Sequence, residues 1–318
     1  MDAERIHAFL DHTLERTHFD SLGTRYEGKV RDTYRQGEDL VLITTDRISS
    51  FDHILKQTIP FKGQILNQTA AFFFEATKDL VPNHVKQVPD PNVTVATACD
   101  PLPIEFVMRG YLAGQAWRLY DAGNREISGQ PFPDGLRQNS RLPEPVLTPA
   151  TKAEEGHDEN ISRDEAIERG LIDAETFDTC AEYARTLYDR GAEMAAERDL
   201  ILVDTKYEFG RTSDGSIVLI DEVHTPDCSR YFYADGYEER LEANEPQRQL
   251  SKEFVRDWLR DNGFTGQPGQ TMPDLPDELR VRVTERYVEL YEQLTATTFE
   301  PDLHTDPVER IREALSIA

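Results

Sequence analysis

Residues 201–223 read ILVDTKYEFGRTSDGSIVLIDEV, and this stretch carries the fold. Two apolar, strand-like runs flank Ser213-Asp214-Gly215-Ser216. Asp-Gly between such runs predicts a two-residue type I′ hairpin. Pairing that steps outward from Ser213 and Ser216 sets Glu208 opposite Asp221. Directly opposed residues have Cβ atoms about 4.5–5.5 Å apart, and like charges at that spacing repel. Alternation also places Asp204, Lys206 and Glu208 on one sheet face. The flanks Leu202, Val203 and Ile217–Ile220 are too apolar for an exposed ribbon, so the charges interrupt a buried sheet. Buried carboxylates need a partner, and magnesium, which prefers oxygen ligands, suits Glu208 and Asp221. Lys206 beside them is placed to face a phosphate, with Asp204 on the same face as a second candidate catalytic group.

Composition narrows the function. The chain has 318 residues and a formal net charge of -25, and only eight of its 35 basic residues are lysines. Nonspecific binding to nucleic acid or anionic membranes needs basic patches, which such a surface lacks. An acid-rich, lysine-poor surface fits a protein kept folded at high salt, where screening removes self-repulsion, so a halophilic source is expected. Cys99, Cys180 and Cys228 are odd in number and share no C-x-x-C spacing, which argues against a disulfide framework or a zinc site. No apolar run approaches the ~20 residues of a membrane span, and a reducing cytoplasm is the expected compartment.

Along the chain, residues 26–54 are β-rich and residues 64–78 have one apolar helical face. Strands are predicted at 92–98 and 104–108, joined by Asp100-Pro101-Leu102-Pro103 as a stiff connector. Long helices are predicted at 173–198 and 276–296. The expected architecture is α+β and two-lobed. Residues 1–102 form an N-terminal antiparallel sheet lobe, 103–296 a larger α+β lobe, and 297–318 an appended tail with a terminal helix. A small-molecule cleft between the lobes is expected.

Gly23 to Val30, GTRYEGKV, matches a P-loop until its last position, where Val30 replaces the Ser or Thr that reaches magnesium. VRDTYR then alternates like a strand, so a strand-loop-strand cover over phosphates fits better, with Lys29 supplying charge. The loop 148–160, TPATKAEEGHDEN, collects Lys152, His157 and Asp158, and long ordered loops tend to be functional. Arg109 ends the strand IEFVM and precedes Gly110 and Gly114, beside backbone that a ligand can approach closely. Ser229 and Arg230 follow the hairpin, and an arginine there suits a phosphate.

In this order, GKVRDTY at 28–34, TTDRISSFD at 44–52, VMRGYLAGQAW at 107–117, LTPATKAEEGHDENIS at 147–162, VDTKYEFG at 203–210 and DEVHTPDCSRYF at 221–232 resemble the SAICAR synthetase family. The resemblance covers about residues 20–296. It implies a two-lobed SAICAR synthetase-like fold with ATP in the cleft. The implied reaction is an ATP-dependent, magnesium-requiring ligation of L-aspartate to the carboxylate of carboxyaminoimidazole ribonucleotide (CAIR), giving SAICAR, ADP and phosphate in purine biosynthesis. It implies that Gly28, Lys29, Arg31 and Glu222 bind ATP, with adenine near 100–103, and that Glu208 and Asp221 hold magnesium. Arg109, Ser229 and Arg230 match positions that hold the ribonucleotide. Lys152, His157 and Asp158 match the loop over CAIR and aspartate. Where the family usually has Ser in VRGYLxGS, this chain has Gln115, a longer amide beside the nucleotide. A small-molecule kinase would share the ATP half, but the chain lacks an H-R-D-x-x-x-x-N catalytic loop.

Overall fold

A computed structural model describes residues 1–152 and 159–317 of the chain. The chain divides into two compact units, one of residues 1–72, 84–98 and 251–318, the other of residues 73–83 and 99–250. The expected boundaries at 102/103 and 296/297 are not those of the units. Residues 251–318 belong with the N-terminal unit because their apolar residues pack there. Val255, Leu259, Leu279, Val283 and Tyr287 share a core with Ile48, Ile59, Ile65 and Leu66.

The first unit contains an antiparallel sheet of strands in the order Arg25–Glu27, Arg31–Gln36, Asp39–Thr44, Val93–Thr97 and Val85–Asp90. Val41, Ile43, Val93 and Val95 supply its buried face. The tail carries the expected terminal helix. A helix, Pro307–Ala314, is capped by Asp306, whose side chain accepts from the amides of Val308 and Glu309. It buries Ile311 against the sheet core. Its Arg310 is also buried, bonding Asp90 at 2.8 and 3.1 Å and the Asn92 side chain. A charge that deep is tolerated because it is paired and hydrogen-bonded.

The first two strands form the expected hairpin, with Tyr26 opposite Thr33 and the Gly28 amide donating to the Arg31 carbonyl at 2.8 Å. The turn is held from beneath by Arg47. Its guanidinium donates to the carbonyls of Gly28 at 3.0 Å, Lys29 at 3.3 Å and Glu15 at 2.5 Å, and to Asp32 at 2.9 Å. Asp32, fully buried, also accepts from the Thr17 amide and hydroxyl. Five planar donors in one fork let a single Arg satisfy several backbone oxygens at once.

In the second unit, an antiparallel sheet places the strand Leu200–Arg211 between Asp100–Tyr111 and Ser229–Tyr233. One face packs on the helix Ala174–Ala196. Asp173 starts that helix by accepting from the Thr176 amide at 2.8 Å. Phe177, Cys180, Ala184, Leu187, Tyr188 and Gly191 recur at helical spacing as its buried stripe. The rings of Phe106 and Phe177 lie 5.2 Å apart, those of Phe106 and Phe209 5.4 Å. The opposite face is left for polar residues.

Two details of the expected sheet change. Residues 100–103 are not a connector but the start of the strand Asp100–Tyr111. The register against Leu200–Arg211 shifts between Glu208 and Gly210, and Pro103 sits in that irregularity, where a missing N–H costs no ladder bond. The hairpin loop has three residues rather than two. The Thr212 amide donates to the Ser216 carbonyl, the Gly215 amide donates to the Thr212 carbonyl, and Gly215 takes φ 91°. Asp214 selects this loop by accepting from the Thr212 hydroxyl at 2.5 Å and the Ser216 amide at 3.1 Å. The extra residue slips the pairing by one, so Glu208 faces Ile220.

Candidate active site

The slip removes the expected Glu208–Asp221 opposition but does not remove the cluster of carboxylates. On its other edge the central strand pairs Glu208 with Glu105, Lys206 with Val107 and Asp204 with Arg109. Glu105 and Arg109 therefore share a face with Asp204, Lys206 and Glu208. Two facing acids are present, and the second is Glu105, inside the segment 104–108 predicted only as a strand.

Lys206 resolves the repulsion. Its ammonium donates to Glu105 Oε1 at 3.0 Å and to Glu208 Oε1. Lys152, whose backbone amide is fixed on the Pro103 carbonyl at 3.0 Å, donates its ammonium to Glu208 Oε2. Asp221 lies just past its strand, with φ 68°. Its charge still acts on both lysines, raising their pKa. Burial works to raise the Glu208 pKa, but Lys206 and Lys152 prevail and hold it down at about 2. Burial works to lower the Lys206 pKa, and Glu208, Glu105 and Asp221 carry it well above the ordinary lysine value. Glu208, Lys206 and Lys152 are thus charged at neutral pH.

A second network lies two residues back along the strand. Arg109 and Arg230, from the strands on either side, both donate to Asp204 Oδ2 at 3.0 Å. The Arg109 Nε donates to Thr148 Oγ1 at 2.8 Å. Asp204, expected as a second catalytic group on this face, bonds the two guanidiniums. One carboxylate between two guanidiniums leaves net positive charge, the composition of an anion site. Ser229 donates to Thr205 at 2.8 Å beside it. Gly114, at φ +56°, comes so close that a Cβ there would lie 2.7 Å from both Nη atoms of Arg230. Gln115 is exposed in the first turn of the helix Gly114–Asp121.

The remaining expected residues are dispersed among other contacts. In the first unit, Lys29 pairs with Asp52 at 2.6 Å, both half-exposed, and Arg31 begins its strand opposite Thr44. In the second unit, Glu222 is buried and accepts from the Thr225 hydroxyl. His157 and Asp158 lie outside the described residues. Sequence reasoning passed over Glu105 and Thr148. It also passed over His224, a fully buried imidazole at φ 56° whose ring lies 4.8 Å from that of Phe73 and whose carbonyl accepts from Tyr231. Burial lowers its pKa to about 4, so it is neutral and shapes the chain between Asp221 and Arg230.

Among the described residues, no three His, Cys, Asp or Glu groups come together as a metal cage. Glu208 and Asp221 supply carboxylate oxygens, the ligand type of magnesium in enzymes, where one or two carboxylates join a substrate's phosphates.

The SAICAR synthetase family model matches residues 24–271. The phosphoribosylaminoimidazole-succinocarboxamide synthase of Bacteroides thetaiotaomicron is 52% identical over 304 residues, which is 94% of this chain and 96% of that protein. The chain belongs to the SAICAR synthetase family. The enzyme of the same name from Cytophaga hutchinsonii is 51% identical over 286 residues, covering 90% of this chain and 92% of that one. Among solved structures, SAICAR synthase from Saccharomyces cerevisiae in complex with SAICAR superposes with a TM-score of 0.77 at 31% identity, over 91% of this chain and all of that one. A SAICAR synthetase in complex with ADP gives 0.68 at 25% identity, over 87% and 100%. As a SAICAR synthetase, the chain is an ATP-dependent ligase that joins CAIR and L-aspartate in purine biosynthesis.

Proposed function

We propose that the Lys206 network carries the phosphoryl transfer and the Arg109–Arg230 pair holds the ribonucleotide. A carboxylate is a poor acceptor for an amine. In this reading the CAIR carboxylate attacks the γ-phosphorus of ATP, ADP leaves, and an acyl phosphate forms. The aspartate amine then attacks the acyl carbon, phosphate departs, and the amine gives up a proton as the amide closes. Lys206 presents its ammonium to the transferring group, where fixed charge lowers the barrier most. Glu208 and Asp221 would hold magnesium. Held there, it would supply positive charge against the phosphates of ATP.

Gly28, Lys29 and Arg31 belong to the nucleotide by resemblance, with Lys29 supplying charge. Glu222 is better read as fixing the loop through Thr225 than as touching ATP. Arg109 and Arg230 grip the ribonucleotide phosphate, with Ser229 and the Gln115 amide beside them, and Asp204 keeps the guanidiniums oriented. Lys152 serves CAIR and aspartate from its loop, along with His157 and Asp158.

The observation that supports this most is Lys206 lying between Glu105 and Glu208 while feeling Asp221. Magnesium-dependent ADP release, measured with and without CAIR and L-aspartate, tests it. Release should require CAIR and yield SAICAR with aspartate, and release indifferent to both would refute the reading.

The setting proposed is a reducing, salt-rich cytoplasm. Among the described residues Cys99, Cys180 and Cys228 form no disulfide, and no helix is long and apolar enough to cross a membrane. Activity and melting temperature should rise as KCl is added to dilute buffer. A fall in both would contradict the salt adaptation.

A further inference from the structure

Glu105 stands opposite Glu208 on the neighbouring strand, diagonal to Lys206, within reach of a long side chain. Its side chain is 14% exposed, that of Lys206 26% and that of Glu208 9%. Both oxygens of Glu208 are engaged by ammonium groups, Oε1 by Lys206 and Oε2 by Lys152. An oxygen held by an ammonium is not open to a metal. For Glu208 to take up magnesium, as proposed above, at least one lysine must let go. A largely buried ammonium that loses its carboxylate is costly unless another partner keeps it.

We infer that Glu105 is the positioning residue for Lys206: it retains the ammonium when Glu208 turns to the metal. The inference rests on the proposed metal role of Glu208. Glu105 thereby does two things. It lowers the cost of metal entry at Glu208, and it keeps the ammonium aimed at the transferring phosphoryl group instead of following Glu208. Without it, Lys206 has stronger reason to stay on Glu208 and compete with the ion. Glu105 therefore acts through Lys206, and touches neither phosphate nor metal.

The probe is Mn²⁺–ADP bound by the full chain, followed by electron paramagnetic resonance, with kcat and KM measured in parallel. Outer partners of metal ligands are commonly worth about 10–100-fold in metal affinity or activity. Glu105→Ala should weaken Mn²⁺–ADP binding within that range and lower kcat, with the KM for CAIR near its starting value. Glu105→Gln keeps an oxygen that accepts from Lys206 and should recover part of both losses; being close in shape, it also guards against a folding defect. The decisive arm is the cycle with Lys206→Met. Once Lys206 is gone, Glu105→Ala should no longer affect Mn²⁺–ADP binding.

A loss that persists in the Lys206→Met background would make Glu105 a direct ligand and overturn the inference. Unchanged Mn²⁺ binding in Glu105→Ala would overturn it as well. Glu208→Gln is the control that separates the two levels. If it abolishes Mn²⁺–ADP binding while Glu105→Ala does nothing, the inference alone fails. If Glu208→Gln binds normally, the metal role of Glu208 fails and takes the inference with it.

Discussion

Asp221→Asn is expected to lower turnover on the order of 10³-fold, the upper range for removing one group that stabilises developing charge. The fold should survive. Glu105, Glu208 and Asp221 face two ammonium groups, Lys206 and Lys152, so neutralising Asp221 leaves two charges against two. Asn also tolerates the left-handed backbone at φ 68°, where Ala would add strain. Turnover and thermal melting measured on the same preparation check this. A fall in stability larger than the fall in activity would make Asp221 structural.

Arg230→Ala is expected to raise the KM for CAIR about 10–100-fold, the equivalent of about 1.5–3 kcal/mol for hydrogen bonding to a charged group. The KM for ATP should hardly move. The variant leaves Asp204 still paired with Arg109 at 3.0 Å, so no carboxylate is stranded and the sheet should stay intact. Arg230→Lys should not restore binding, because a point charge cannot reproduce the guanidinium fork. Steady-state kinetics with each substrate varied in turn decide the matter, and equal effects on both KM values would contradict the assignment.

The parts of this site that were legible in the sequence lie within single strands. Alternation alone puts Asp204, Lys206 and Glu208 on one face, and Arg109 at a strand end beside glycines. Glu105 was illegible because its partner Glu208 is remote in sequence and sheet order cannot be read from either strand. Thr148 was hidden for the same reason: its bond to Arg109 joins residues 39 positions apart. The hairpin register failed on a smaller point. Asp-Gly favours two-residue turns, but the Asp214 side chain bonds Thr212 and Ser216 and closes a three-residue loop instead. Prolines at 101 and 103 masked a strand whose register irregularity takes up Pro103, with Pro101 at its edge opposite Gly210. Whether the tail was ordered could not be read because its anchor, Arg310 on Asp90, joins residues 220 positions apart.

The mechanism turns on where a divalent ion sits once nucleotide is bound. Anomalous diffraction from crystals of the Mn²⁺–ADP complex locates it directly. The ion should lie about 2.1 Å from oxygens of Glu208 and Asp221, the usual length for a small divalent cation on oxygen. Lys206 should then have withdrawn to Glu105. Manganese found on the phosphates alone, with Glu208 still clasped by both lysines, would contradict it.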